Sequence, residues 1–296
     1  MIRDGRRDIS PSGKIHRVDL TETFSWEGRD VAWSRIGSGN PVVFCHGTPW
    51  SSKTWARFAD ALSRDFCVYL WDMPGYGQSS KHPEHDVDLA TQGELFTDLL
   101  AEWNIDTPHV VAHDFGGAVS LRALLLHDAR FASLCLVDVV ALRPWGSPFF
   151  RLVHDHADVF AALPPAVHAG ALAAYIQTAS FRGLRTHELA ELTAPWLTDE
   201  GQAAFYRQIA QADERFTLEL EDRLSDIDLP VHIIWGEQDT WIPLDRATRL
   251  ADAIPDASLH TVPDAGHLVH YDAPAPLADA LRAWLSDHAR TEHPSS

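Results

Sequence analysis

Ala112-His113-Asp114-Phe115-Gly116-Gly117 follows the apolar run His109-Val110-Val111 and leads into a helix-like segment, Ala118 to His127. Such an order reads as a sharp strand-to-helix turn that lifts one reactive side chain, that of Asp114, above a sheet. The small residues Ala112, Gly116 and Gly117 suit the turn, because bulk there would collide with neighbouring backbone. A plain helix N-cap is the competing role for an aspartate in this place. Aspartate at the apex attacks saturated carbon and is left as an ester, so this residue predicts the reaction class.

Outward from the turn, short apolar runs alternate with segments of helical period, the pattern of a mostly parallel sheet wrapped by helices. Strands are expected at Lys14–Thr23, Val31–Ile36, Pro41–Cys45, Cys67–Trp71, His109–His113, Leu134–Val139, Val231–Trp235 and Ser258–Val262, the first two as an antiparallel edge hairpin. Helices are expected at Lys53–Ser63, Leu89–Trp103, Gly116–His127, Asp245–Ala253 and Pro276–Ser286. The alternation stops between about Ala141 and Ser225, where the chain is rich in Ala, Leu and aromatics and carries prolines at 144, 148, 164, 165 and 195. The expected division is an α/β core over 1–140 and 226–296, with 141–225 inserted as a helical cap. The polar end, 290–296, is expected to fray.

A nucleophile on such a turn needs helpers at neighbouring strand ends. Val262-Pro263-Asp264-Ala265-Gly266-His267 follows the last strand and offers His267 as a base. Trp235-Gly236-Glu237-Gln238-Asp239 follows the strand before it and offers Asp239 to orient and balance that histidine, with Asp138 as an alternative acid. The order Asp114, Asp239, His267 is nucleophile, acid, base. After the Pro41–Cys45 strand, His46-Gly47-Thr48-Pro49 can aim the N–H of Thr48 at the nucleophile, and with the N–H of Phe115 it would form an oxyanion hole. His46 itself reads as a structural hydrogen-bonder.

Taken with Asp72-Met73-Pro74-Gly75-Tyr76-Gly77-Gln78-Ser79, these motifs make the chain similar to α/β-hydrolases of the branch holding epoxide hydrolases and haloalkane dehalogenases. The resemblance covers nearly the whole chain. It implies an eight-stranded, mostly parallel sheet flanked by helices, a helical cap, an Asp–His–acid triad and no cofactor. In both activities the aspartate displaces a leaving group from sp3 carbon and water then attacks the ester carbonyl. Epoxide hydrolases resemble one another in cap tyrosines that donate to the departing oxygen, and Tyr206, with Tyr175, matches that role here. A halide cradle typically uses a tryptophan after the nucleophile and an Asn or second Trp, whereas this chain has Phe115 and Thr48 at those places. Arginines just after the nucleophile, the carboxylate grip of fluoroacetate-type dehalogenases, are also missing. The expected reaction is therefore epoxide to vicinal diol, the alternatives being dehalogenation, ester hydrolysis or a non-hydrolytic small-molecule receptor. An apolar pocket walled by Trp50, Phe115, Trp145, Phe149 and Phe150 is expected between cap and sheet.

The partners that the resemblance implies are a small apolar organic substrate and water, and the acidic composition favours neutral or cationic substrates only weakly. A length of 296 residues suits one large domain or a domain with an insertion, and 45% hydrophobic residues suffice for a core. A formal net charge of −18 repels nucleic acid and anionic membrane. Cys45, Cys67 and Cys135 are odd in number and lie in or beside apolar runs, which reads as buried thiols in a reducing compartment. Residues 1–8 lack an apolar signal-peptide core, and no run nears the roughly 18 apolar residues of a membrane span, so the expected location is cytoplasmic. His154-Asp155-His156 does not read as a metal site, because residues two apart on a helix do not share a face. Gly75-x-Gly77 has no phosphate-loop continuation and reads as a structural turn. The acidic run that includes Asp213, Glu214, Glu219, Glu221 and Asp222 reads as the solvated face of a cap helix.

Overall fold

Eight apolar runs become the strands of one sheet: β1 (Glu22–Trp26), β2 (Arg29–Gly37), β3 (Pro41–Cys45), β4 (Cys67–Trp71), β5 (His109–Asp114), β6 (Ser133–Val139), β7 (Val231–Gly236) and β8 (Ser258–Val262). The structure is a computed structural model and describes residues 19–289. Strand order is β1-β2-β4-β3-β5-β6-β7-β8. The six strands from β4 to β8 run parallel, while β2 is antiparallel to both β4 and β1. Parallel strands need crossovers, and the helices Ala56–Leu62, Leu89–Glu102, Phe115–Leu126 and Asp245–Ala253 supply them close to the expected spans, while Pro274–Ala289 follows the last strand and packs on the sheet.

Successive residues of a strand face opposite sides of a sheet, and both sides here are covered. Val42, Phe44, Val68, Leu70, Val111, Val137 and Ile234 pack with Trp55, Phe58, Leu277, Leu281 and Leu285 on one side. Val43, Cys45, Tyr69, Trp71, Val110, Leu134, Leu136 and Ile233 pack on the other with Leu95, Phe96, Val119 and Leu121. Each such side chain, fully buried, contributes about 1.5–3 kcal/mol. Of the three free cysteines, Cys45 and Cys135 are buried and Cys67 is half-buried.

The first strand departs from the expected Lys14–Thr23, of which residues 14–18 lie outside the described residues. It runs Glu22–Trp26 because the hairpin turn lies at Glu27-Gly28, both with positive φ (47° and 78°), a backbone that matches the twist of paired strands. The end of the chain, 290–296, is likewise outside the described residues.

Between β6 and β7 the chain forms the helices Pro148–Asp155, Ala157–Ala161, Pro165–Gln177, Thr186–Thr193, Asp199–Ala210 and Arg215–Glu221, with no strand among them. They lie over the carboxyl ends of the parallel strands. Trp196 donates its ring N–H to the Pro49 carbonyl at 2.9 Å, and Leu268 N–H donates to the Ala179 carbonyl at 2.9 Å. The acidic run of the last helix is more than a solvated face. Glu214 accepts from the Trp145 N–H (3.0 Å), Glu221 pairs with Arg143 (3.0 Å), and Glu219 pairs with the buried Arg122 (2.6 Å). Negative side chains there hold the start of the insertion and the helix Phe115–Leu126. Among the described residues no helix is long and apolar enough to cross a membrane.

Candidate active site

Asp114 is the last residue of β5, with φ 50° and ψ −119°. A non-glycine residue held there costs about 1–3 kcal/mol, which surrounding packing must offset. Glycines make the turn possible: a Cβ on Gly116 would stand 2.5 Å from the Cys45 carbonyl oxygen, and one on Gly47 would stand 2.3 Å from the Asp114 Cβ. With Gly47 bare, the next residue reaches the turn, and Thr48 N–H donates to Asp114 Oδ1 at 2.6 Å. Phe115 opens the following helix, so its N–H has no partner within the helix and belongs to the same end of the turn.

His267 leaves the loop after β8 fully buried. Its Nδ1 pairs with Asp239 Oδ2 at 2.9 Å, while Nε2 lies 3.3 Å from Asp114 Oδ2, close enough for an ion pair but not aligned as a hydrogen bond. Asp239 is held in turn, since its Oδ1 accepts from the N–H groups of Trp241 (2.7 Å) and Ile242 (2.9 Å). Of the two candidate acids, Asp239 is thus the one that receives the imidazole N–H. Asp138 uses Oδ1 to accept from Gly236 N–H at 2.8 Å. Burial alone would lower the His267 pKa, but the Asp239 and Asp114 carboxylates outweigh it and hold the imidazole well above its ordinary value.

His46 is bound at both nitrogens. It accepts from Met73 N–H at Nε2 (2.9 Å), and its Nδ1 faces the Gly47 carbonyl oxygen at 2.9 Å. Burial lowers its pKa, so it fixes the loop as a neutral ring.

A narrow cavity of about 20 Å³ lies over Asp114, room for about one water. Thr48 and Asp114 form its floor and Phe115, Trp145, Phe150, Tyr175 and Trp241 its walls. The expected wall residues Trp50 and Phe149 stand a layer behind, where Trp50 stacks on Trp241 (5.8 Å between centroids) and Phe149 packs tilted against Tyr175 (4.7 Å).

The two tyrosines separate. Tyr175 lines the cavity, and burial keeps its phenol protonated by raising its pKa. Tyr206, expected to face the leaving group, is instead turned to His168 Nδ1 at 2.8 Å and does not line the cavity. The Nε2 of that histidine faces the Trp196 carbonyl at 2.9 Å and must donate to it. Its Nδ1 is therefore the acceptor, and the Tyr206 proton is committed.

Trp241 of the cavity wall and three further polar residues lay outside the sequence reading. Ser147 lies beside Tyr175 in the cavity wall. Gln208 accepts from Thr48 Oγ1 (2.6 Å) and from the Tyr76 hydroxyl (2.8 Å). Asp272 accepts from Gly266 N–H (2.8 Å), Phe181 N–H (2.8 Å), Arg182 N–H (3.1 Å) and the Ser180 hydroxyl (2.5 Å), fastening the insertion to the His267 loop. No local pattern marks these side chains, because each acts across a long stretch of chain.

A family model described as the alpha/beta hydrolase fold matches residues 40–274. An alpha/beta hydrolase fold protein from Burkholderia ambifaria is 46% identical with a TM-score of 0.88, over 90% of this chain and 99% of that one. The pimeloyl-[acyl-carrier protein] methyl ester esterase of Chromobacterium violaceum is 29% identical over 87% of this chain and 97% of its own. Haloalkane dehalogenase DatA from Agrobacterium tumefaciens C58 has a TM-score of 0.76 at 20% identity, over 90% of this chain and 96% of that one, a likeness of fold.

Proposed function

The chain belongs to the alpha/beta hydrolase family, and from this premise we propose that it opens an epoxide to a vicinal diol through an ester on Asp114. The observation that carries the reading is the Tyr175 hydroxyl in the wall of the cavity whose floor is Asp114. A departing epoxide oxygen needs a proton donor, and this phenol stays protonated.

In the first step Asp114 Oδ2, the oxygen not held by Thr48, attacks a ring carbon and the carbon–oxygen bond breaks. Tyr175 hydrogen-bonds the leaving oxygen and passes it a proton, downhill because an alkoxide is the stronger base. The phenolate takes its proton back, relayed by water, from the His267 imidazolium, which is left neutral. Esterification removes the Asp114 charge that helped to keep His267 protonated, so the imidazole becomes a base when one is needed. His267, held by Asp239, takes a proton from water as its oxygen attacks the ester carbonyl. Negative charge develops on Oδ1, where the N–H groups of Thr48 and Phe115 contribute roughly 3 kcal/mol each. Collapse of the intermediate releases the diol, protonated from His267, and leaves Asp114 as the acid, whose proton passes to His267 and restores the starting carboxylate and imidazolium.

The same kind of ester would form from a haloalkane, but the ring N–H groups of the tryptophans in the cavity wall and of Trp196 are engaged elsewhere, and Trp50, whose buried ring N–H has no partner, stands behind Trp241. Trp145 donates to Thr217 Oγ1 (2.9 Å), Trp241 to Thr178 Oγ1 (3.0 Å) and Trp196 to the Pro49 carbonyl (2.9 Å). A cavity with room for one water is too small for an organic substrate, so the insertion over 141–225 acts as a cap that moves to admit it.

The test is the intact mass of the His267→Ala variant after exposure to a terminal epoxide and, separately, a bromoalkane. A hydroxyalkyl adduct on Asp114 is the expected result. An alkyl adduct from the bromide alone would replace the reading with dehalogenation. No adduct from either would overturn the ester mechanism.

A further inference from the structure

Three buried carboxyl groups surround His267. Asp114 ends β5, Asp239 follows β7, and Asp138 lies in β6 with φ 45° and no exposed surface. Among the described residues no Lys or Arg forms an ion pair with any of them, so one imidazolium is the local positive charge. Three carboxylates against one cation would leave a net charge of −2 out of reach of water, and a buried charge of that kind takes up a proton instead. The hydrogen bonds say which carboxyl takes it. Both oxygens of Asp239 are occupied, by Trp241 N–H, Ile242 N–H and His267 Nδ1. Asp138 receives only Gly236 N–H at Oδ1, and its Oδ2 is buried with no donor. The group beside it is the Asp239 carboxylate. An orphaned carboxylate oxygen is costly, whereas a protonated one becomes a donor and satisfies its neighbour.

We propose that Asp138 is a neutral carboxylic acid whose O–H donates to Asp239, a positioning residue that moderates the triad acid and so sets the pH at which His267 becomes a base. The inference rests on the reading of Asp114, Asp239 and His267 as a triad and is independent of the substrate. Burial and the nearby Asp239 charge raise the Asp138 pKa well above the usual carboxylate range, in agreement. The groups facing the pair are His267 from the β8 loop and, beyond it, Asp114 and the neutral His113 of β5. With the donor in place, part of the Asp239 charge is spent on Asp138. Without it the full charge falls on His267, which then holds its proton to higher pH.

Infrared difference spectra of the wild-type protein against Asp138→Asn, at neutral pH in H2O and D2O, read the proton directly. The expected result is a carboxylic C=O stretch that shifts in D2O and is lost in the variant. The absence of that band from the wild type, or its survival in Asp138→Asn, overturns the proposal. The His267 titration followed by NMR provides the second readout. Asp138→Asn keeps a donor and should leave the midpoint nearly unmoved, while Asp138→Val should raise it. Equal midpoints in the two variants would reduce Asp138 to packing and refute the role. Neither measurement uses a substrate, so failure of the epoxide reading and failure of this one are told apart.

Discussion

Thr48 N–H reaches Asp114 Oδ1 at 2.6 Å, while His267 Nε2 stands 3.3 Å from Oδ2, so the two oxygens of Asp114 are not equivalent. In the proposed mechanism the one gripped by Thr48 remains a carbonyl, the other attacks, and water then attacks the ester carbonyl and not the substrate carbon. A single turnover in H2(18)O, with enzyme in excess, should therefore leave the label in Asp114 and give unlabelled product. Label in the diol on the first turnover would mean direct attack by water and would remove Asp114 from the nucleophile's role.

The two tyrosines should answer differently to removal of the hydroxyl. Tyr175→Phe takes away the donor in the cavity wall and should slow ester formation from an epoxide by about 100-fold or more, the usual range for a positioned acid. Tyr206→Phe leaves His168 Nδ1 without its donor, a cost of about 1–3 kcal/mol in stability, with little change in the chemical step. Stopped-flow burst rates and urea unfolding of both variants check the contrast. A larger rate loss in Tyr206→Phe would reverse the assignment.

That contrast also marks how far the sequence could be read. Asp114, His267 and Asp239 were legible because each sits at the carboxyl end of a strand, and strand ends are visible as the limits of apolar runs. Gly47 and Gly116 were legible for a related reason, since close backbone approach leaves a glycine behind. Tyr175 and Tyr206 each lie on an insertion helix, Pro165–Gln177 and Asp199–Ala210, and only packing against the sheet decides which helix face meets the cavity. A hydrophobic stretch such as Ala171-Leu172-Ala173-Ala174-Tyr175-Ile176 carries no clear polar stripe to orient it. The Asp138–Asp239 juxtaposition was hidden in the same way: both residues were readable as strand-end acids, but their pairing depends on β6 and β7 being neighbours.

The Asp239 carboxylate and the Asp114 carboxylate together overcome burial to raise the His267 pKa. Asp239→Asn removes the larger of these two carboxylate contributions, so the imidazole should titrate at lower pH. The asparagine can also turn its NH2 toward Nδ1 and reverse the tautomer. Hydrolysis of the preformed ester should then slow by about 100- to 10,000-fold, while ester formation, which needs only the Asp114 anion, changes much less. Time-resolved mass spectra should show the adduct accumulating in this variant. Equal slowing of both steps would mean that Asp239 serves the fold more than the base.

Buried, neutral rings of His113 and His270 lie behind His267, and the buried His109 and half-buried His232 stand at the starts of β5 and β7. Burial, with the His267 charge, lowers His113 to about 3, and burial likewise lowers His109 and His232 to about 4. His270, buried between Trp55 and His113, is also held well below its ordinary value. The sign follows from linkage. In the unfolded chain these histidines bind protons below about pH 6.5, while in the folded chain they do not, so the unfolded state gains protons first. Their stabilising contribution is complete above pH 6.5 and is lost as the pH falls toward the folded values. For the fully buried His113 the loss is about 1.4 kcal/mol per pH unit in that window. His267, with its raised pKa, contributes in the opposite sense, its share fading only as the pH rises through its folded value. Urea midpoints measured between pH 7.5 and pH 4.5 should therefore fall on the acid side, and His113→Asn should flatten that fall. An acid slope that His113→Asn leaves unchanged would show that the proton uptake resides elsewhere.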